Sequence, residues 1–458
     1  MTFRTSTVSV LALAAACGWA TPVQAQDEGV AAILQELAQM REQMGEMAAR
    51  METLQAQLDE AQAKAAAAEA TAASAVEVAQ AAAPPPATEI SWKGAPQITG
   101  KGGWSFKPRG RLQFDAGFTD APDSTGRDDG FGSEARRLRL GVEGDIPGGF
   151  GYKFEADLAG NDVEIADAIV TYAHKGLTVS VGQHNNFQSL EELTSSRFSS
   201  MIERAAFTDA FGFERRVGAS VQYSGGDYLL QGGVFTDNID ELPNKNFSLD
   251  GRAVYMPKLG KTQIHLAGSA HYAELADPAV RLRYRQRPLV HFTSARFVDT
   301  DTFDAVSETG YGLEAAAIRG PFHFAAEGFW QSAERVARPD PTFFGGYAEV
   351  GMFLTRGDTR GYKNGMFDRV KPAKEVGEGG IGAIQLNLRY DYLDLTDAGI
   401  VGGTQNGYLV SLVWTPTDYT RFLLNYGRMA YTDAAHPAAG GDRSYGVDAV
   451  GMRAQVDF

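Results

Sequence analysis

The 458-residue chain holds one cysteine, Cys17, and it lies in an amino-terminal segment with the marks of a removable leader. A mature chain without thiols has no disulfide and no cysteine chemistry. The seven histidines show no ligand spacing, so neither a metal nor any other cofactor is expected. Beyond the amino terminus no apolar run approaches the ~20 residues that a spanning helix needs. Basic residues are in deficit, 42 against 57 acidic ones for a formal charge of −15, which argues against a general binder of nucleic acid or of an anionic membrane surface.

What is present is organised in three styles. Residues 1–25 carry Arg4, an apolar core from Val8 to Ala16 and Val23-Gln24-Ala25 before Gln26, the pattern of a secretory signal peptide. Lipoprotein cleavage before Cys17 is the competing reading, although no bulky aliphatic stands three residues before the cysteine. Over 26–64 the apolar residues fall at Val30, Ile33, Leu37, Met40, Met44, Met47, Met51, Leu54 and Leu58, with Glu36 and Arg41 beside them. Spacings of three and four in alternation are a coiled-coil heptad, here a helix of roughly 33 residues and ~50 Å. Methionine fills the seam without specifying the number of strands. Residues 65–97 read as an Ala/Pro-rich linker ending in the stiff Pro84-Pro85-Pro86.

From 98 to 458 the period is two. Leu112, Phe114, Ala116 and Phe118 oppose Arg111, Gln113 and Asp115; Leu138, Leu140 and Val142 oppose Arg137, Arg139 and Glu143; Tyr152, Phe154, Ala156 and Leu158 oppose Lys153, Glu155 and Asp157. The ending sets Val450, Met452, Ala454, Val456 and Phe458 against Arg453, Gln455 and Asp457. A soluble sandwich also alternates. A leader together with Tyr and Trp recurring near strand ends favours a transmembrane antiparallel β-barrel. About 360 residues at roughly 22 per strand and connection make on the order of sixteen strands. Such a barrel keeps water in its lumen, so its charges face inward and its apolar residues face lipid.

One stretch breaks the rhythm. Ala168–Tyr172 and Leu177–Val181 read as a hairpin about Lys175-Gly176, but a long connection then runs from Gln183 to Arg216. It holds Phe187, Leu190, Leu193, Phe198, Met201 and Ile202, too apolar for a disordered tail, and is read as a loop folded into the barrel.

The chain resembles the phosphate- and polyphosphate-selective porins of the bacterial outer membrane, the O/P porin family. The resemblance rests on Gly110-Arg111-Leu112-Gln113-Phe114-Asp115, Ala135-Arg136-Arg137-Leu138-Arg139-Leu140-Gly141, Gly151-Tyr152-Lys153-Phe154-Glu155, Leu190-Glu191-Glu192-Leu193-Thr194-Ser195-Ser196-Arg197-Phe198, Tyr311–Ala317, Tyr390–Leu395 and Arg453–Phe458. It implies a sixteen-stranded barrel, a homotrimer in outer-membrane lipid, a third loop forming the constriction, and passive diffusion of small anions such as phosphate. It also implies anion contacts from Ser195, Ser196, Arg197 and Arg204 in that loop. Where relatives carry Gly-Gln-Phe-Lys-Thr-Pro-Phe-Gly, this chain reads Gly182-Gln183-His184-Asn185-Asn186-Phe187-Gln188-Ser189, so Asn185 replaces a lysine.

Anion selection needs cations that hand the ion on without holding it. Arg281, Arg283, Arg285 and Arg287 alternate along what reads as one strand face, ~7 Å apart, and Arg111, Arg137, Arg139 and Lys153 share an inward face. Guanidinium forks suit phosphate oxygens, although Asp115, Glu143, Glu155 and Asp157 stand ready to neutralise them. Three other readings stay open: a weakly selective porin for small polar solutes, a barrel tethered to the cell wall through a periplasmic coiled coil, and a membrane enzyme. For an enzyme, Ser195 with His184 is the pair to consider; no catalytic residue is expected.

Overall fold

The computed structural model describes residues 27–82, 88–127, 129–160, 162–241, 245–276 and 281–458. The leader with Cys17 and the triple proline lie outside them. The chain divides into two units, residues 1–86 and 87–458. The first contains one helix, α1 (Asp27–Ala82), which runs through the segment expected to be linker from residue 65. Alanine is the best helix former and no proline lies between Asp27 and Pro84, so nothing stops it. Met40, Met44, Met47, Met51, Leu54 and Leu58 are all exposed along it, whereas the side chains of Val30, Ile33 and Leu37 lie outside those described. The end of the expected linker is also structured from residue 88: Thr88–Trp92 pairs antiparallel with Pro96–Gly100, whose Ile98 pairs with Phe106.

The second unit is a closed antiparallel barrel of sixteen strands. They are β1 (Ser105–Asp120), β2 (Gly130–Ile146), β3 (Phe150–Asp157), β4 (Glu164–His174), β5 (Leu177–Asn185), β6 (Arg215–Gly225), β7 (Tyr228–Phe235) and β8 (Phe247–Tyr255). Then follow β9 (Thr262–Glu274), β10 (Ser307–Arg319), β11 (Phe322–Glu334), β12 (Thr342–Phe353), β13 (Ala383–Asp397), β14 (Ile400–Thr417), β15 (Thr420–Thr432) and β16 (Gly446–Asp457). β16 closes on β1, with Val456 opposite Leu112 and Arg453 opposite Asp115, so no wall strand is left with a free edge. Alternation is realised as side: Leu112, Phe114 and Phe118 are exposed outward, while Gln113 and Asp115 are fully buried inward. The β4–β5 hairpin turns on Lys175 and Gly176, both at positive φ (47° and 83°), the tight turn whose twist matches its strands.

Most connections at one end of the barrel are short, such as 175–176, 226–227 and 320–321. Three are long. Residues 186–214 and 275–306 leave from the opposite end, and 354–382 leaves from the short-turn end. The first carries two short helices, α2 (Leu190–Leu193) and α3 (Ala206–Ala210). Its Leu190, Met201, Ile202, Phe207 and Phe211 join Tyr284, Leu289, Val290 and Phe297 from 275–306 in one buried cluster with inward-facing Phe329, Phe343, Leu393 and Met429 of the wall. The barrel therefore encloses an apolar plug on the side of its later strands.

Candidate functional site

An irregular chain inside a barrel must have its backbone groups satisfied by what surrounds it. The wall does this almost residue by residue over 196–202. Gln113 donates to the Ser196 carbonyl (3.1 Å), Gln455 to Arg197 (3.2 Å), and Ser411 to Ser200 (2.7 Å). Arg421 donates to the carbonyls of Arg197 and Ser199, and Asn425 accepts from the Ile202 N–H (2.8 Å). From the short-turn end, Arg360 of the 354–382 connection donates to the Phe198 carbonyl (2.6 Å).

Carboxylates fix the loop's two short helices. Glu327 on β11 accepts from the N–H groups of Leu190 (2.8 Å) and Glu191 (2.7 Å), and Asp391 on β13 accepts from that of Ala206 (3.0 Å). Two loop carboxylates answer to wall arginines. Glu191 pairs with Arg389 (2.8 Å), and Glu203 bridges Arg136 (2.8 Å) and Arg453 (2.9 Å). Burial alone would push the Glu203 carboxyl up, but Arg136, Arg137 and Arg453 together hold it well below the usual range.

The open side of the lumen lies against β1 to β4. Arg111 donates to Ser196 Oγ (2.8 Å) and stands 3.5 Å from Glu155. Arg139 pairs with Asp157 (2.7 Å) and Glu155 (3.2 Å), and Lys153 with Asp167 (2.5 Å). Arg137 is different: it donates to the Gln113 side-chain oxygen (3.1 Å), with no carboxylate in ion-pair range among the described residues. It lines a cavity of about 850 Å³ at the long-loop end, with Arg136, Arg139, Arg204 and Arg215. Arg197 extends the row: burial and the neighbouring Arg109 and Arg369 lower its pKa, a sign of guanidinium groups crowded together.

A family model described as phosphate-selective porin O and P matches residues 106–458. The chain belongs to this family. A relative in Caulobacter vibrioides, itself uncharacterised, is 48% identical over 477 residues, covering 99% of this chain and 96% of its own. Among solved structures, the barrel is similar to Pseudomonas putida OprB (TM-score 0.51, 12% identity, 78% of this chain and 94% of that one). It is also similar to an anion-selective porin from Comamonas acidovorans (TM-score 0.50, 14% identity, 78% and 100%) and to Vibrio cholerae OmpT in its trimer form (TM-score 0.50, 13% identity, 78% and 100%). These likenesses show the fold.

Within this O/P porin the arginines read as a ladder need correction. Arg281–Leu282 and Arg285–Gln286 are two-residue strands inside the 275–306 connection, paired with Phe303–Asp304 and Val298–Asp299; none belongs to the barrel wall. The connection supplies acids for two of them: Arg283 forks onto Asp299 (2.8 and 2.5 Å) and Arg281 lies 3.9 Å from Asp304. Arg287 reaches Asp209 of the in-folded loop (3.4 Å). Arg283, Arg285 and Arg287 do meet, around a second cavity of about 410 Å³ with Arg216 and Arg296.

The four loop positions separate by role. Ser196 touches Arg111, whereas Ser195 Oγ accepts from Arg197 Nε (3.2 Å). Arg204 holds the loop together, donating to the carbonyls of Glu191, Glu192 and Thr194 (3.0, 2.9 and 3.1 Å). His184 directs its ring nitrogens at the Gly182 carbonyl and Ser220 Oγ, so it does not meet Ser195. Asn185 ends β5 with a buried side-chain oxygen lacking a partner.

Sequence reasoning missed Arg136 as a lumen residue. Gln113 pairs with Arg137 and Phe114 with Ala135, leaving Arg136 as the extra residue of a β-bulge. The signal was there, because two adjacent arginines in a lipid-bathed strand face opposite sides unless a bulge turns both inward. It also missed the 354–382 segment, whose hairpin of Gly361–Lys363 and Met366–Asp368 meets Arg252 through the Gly365 carbonyl (2.9 Å) and His265 through the Tyr362 hydroxyl (2.7 Å). So long a connection at the short-turn end was the available clue.

Proposed function

We propose that this outer-membrane porin-type barrel is a channel for passive diffusion of small anions, with phosphate as the favoured solute, and not an enzyme. One observation carries the reading: Arg137 lines the cavity at the long-loop end with no carboxylate in ion-pair range among the described residues, Glu203 being near enough only to feel its charge. Arg111 and Arg197 continue toward the opposite mouth, each in ion-pair range of one carboxylate, Glu155 (3.5 Å) and Asp457 (3.4 Å), and all three have N–H donors to offer an oxyanion. Ser196 supplies a hydroxyl on the same line. In planar bilayers under a salt gradient, the expected reversal potential is anion-selective, and added phosphate should reduce the chloride current. A cation-selective reversal without phosphate block would sink the proposal.

The second reading, a weakly selective porin for small polar solutes, is favoured by the pairing of Arg139, Lys153 and Arg215 with Glu155, Asp157 and Asp167. We further propose a homotrimer whose α1 helices form a periplasmic coiled coil that reaches toward the cell wall. The exposed Met40, Met44, Met47, Met51, Leu54 and Leu58 support it, because a soluble helix rarely leaves such a stripe uncovered. Cross-linking at Met47→Cys in cells tests it; monomers alone would count against it.

A further inference from the structure

The external cavity carries more acid than base, which sits poorly with a pore whose solutes are anions alone. Ten carboxylates and six arginines line its described surface. Four arginines cancel against carboxylates of the same cavity: Arg136 with Glu203, Arg139 with Asp157, Arg204 with Glu192 and Arg287 with Asp209. Arg215 is spent on Asp167. Arg137 remains, only 7% exposed, lining the cavity and bonded to the Gln113 side chain. On the acidic side Glu134 is held by His291 (2.9 Å), while Asp162, Glu164 and Asp240, on the 158–163 connection, the start of β4 and the 236–246 connection, have no cation within 4 Å among the described residues. Glu214 adds to them, its nearest cation being Arg216 at 3.8 Å.

A cavity of this size holds a small molecule whole. One buried cation and several unspent carboxylates lining the same cavity are complementary to a solute bearing both charges. We propose that the cavity selects zwitterionic oxyanions, in which a phosphate or carboxylate end meets Arg137 and an ammonium end meets Asp162, Glu164 and Asp240. This rests on the anion path proposed above and names its solute class. The carboxylates slow entry of a simple anion such as phosphate relative to a zwitterion of the same phosphate charge without closing the path to it, so the two differ in entry as well as in residence.

The test compares phosphoethanolamine with glycerol 3-phosphate, similar in size and phosphate charge, as blockers of chloride current through the full-length protein in planar bilayers at pH 7.5, with inorganic phosphate alongside. Half-block by phosphoethanolamine at a concentration about tenfold lower supports the proposal. So does collapse of that ratio toward one in Asp162→Asn/Glu164→Gln/Asp240→Asn, whose side chains lie on connections or a strand end. Equal block by the two esters, with inorganic phosphate still blocking, overturns the zwitterion site and leaves the anion path standing. No block by any of the three overturns both.

Discussion

Two sets of arginines in this molecule look alike on paper and differ in every physical respect. Arg281, Arg283, Arg285 and Arg287 are consecutive alternate residues, yet they lie on a connection outside the wall, and exposure is highest at Arg281, whose side chain is 65% exposed with its partner Asp304 at 66%, and falls to 23% at Arg287. Arg111, Arg136, Arg137 and Arg453 come from three different strands, yet they converge inside the barrel, buried and bonded to loop and wall. Ions in water are screened and interact weakly, whereas ions in a walled lumen are screened little. Proximity along the chain says less about a pore than does the side of the wall on which each residue falls.

Breaking one carboxylate in each set is the sharpest test. Glu203→Gln leaves Arg136 and Arg453 without a shared anion, and breaking such a buried pair costs about 3–5 kcal/mol. It should lower resistance to urea unfolding and make single-channel traces noisy as the loop loosens. Asp304→Asn, in the exposed set, should change unfolding by less than about 0.5 kcal/mol. Equal effects would erase the distinction.

Next in size is the ion itself. Arg111→Gln with Arg137→Gln should raise the half-blocking phosphate concentration about 10- to 100-fold, the worth of one or two charge-assisted hydrogen bonds. Changing Arg281, Arg283, Arg285 and Arg287 together to Gln should slow anion entry by less than about threefold, and only at low salt, since these charges can steer but not bind. A larger loss from the loop quartet than from the wall pair would reverse the comparison.

The smallest effect concerns pH. Burial, with Glu241, Asp237 and Glu308 nearby, pushes the Glu214 carboxyl up to about 7 against the pull of Arg216. It is neutral at pH 6 and ionised at pH 8, so the mouth gains a negative charge as pH rises. Anion-over-cation permeability should fall by less than about twofold across that interval, a change that Glu214→Gln removes.

Much of this was legible in advance. The hairpin about Lys175-Gly176 followed from its turn residues, the in-folded connection after it from its length and apolar side chains, and the inward placement of Arg111, Arg137, Arg139 and Lys153 from period two and the cost of charge in lipid. The rest was not, because alternation labels faces without saying what fills the space between them. Phe329, Phe343, Leu393 and Met429 point inward though apolar; nothing local distinguishes them from lipid-facing residues, since their partners are loop residues far away in sequence. Asp391 and Glu327 sit on the inward face like other lumen charges, and only the folded loop shows them accepting from the first N–H groups of its helices.

By itself the sequence determined the helix with its heptad seam, the strands and their two faces, because these periodicities are steric properties of a few adjacent residues. Tertiary structure alone decided which arginines meet, which stay open, and where two opposite connections turn inward. Those outcomes depend on closure of β16 onto β1 and on a bulge at Arg136, where pairing between distant segments sets the register. No short window of residues contains that information.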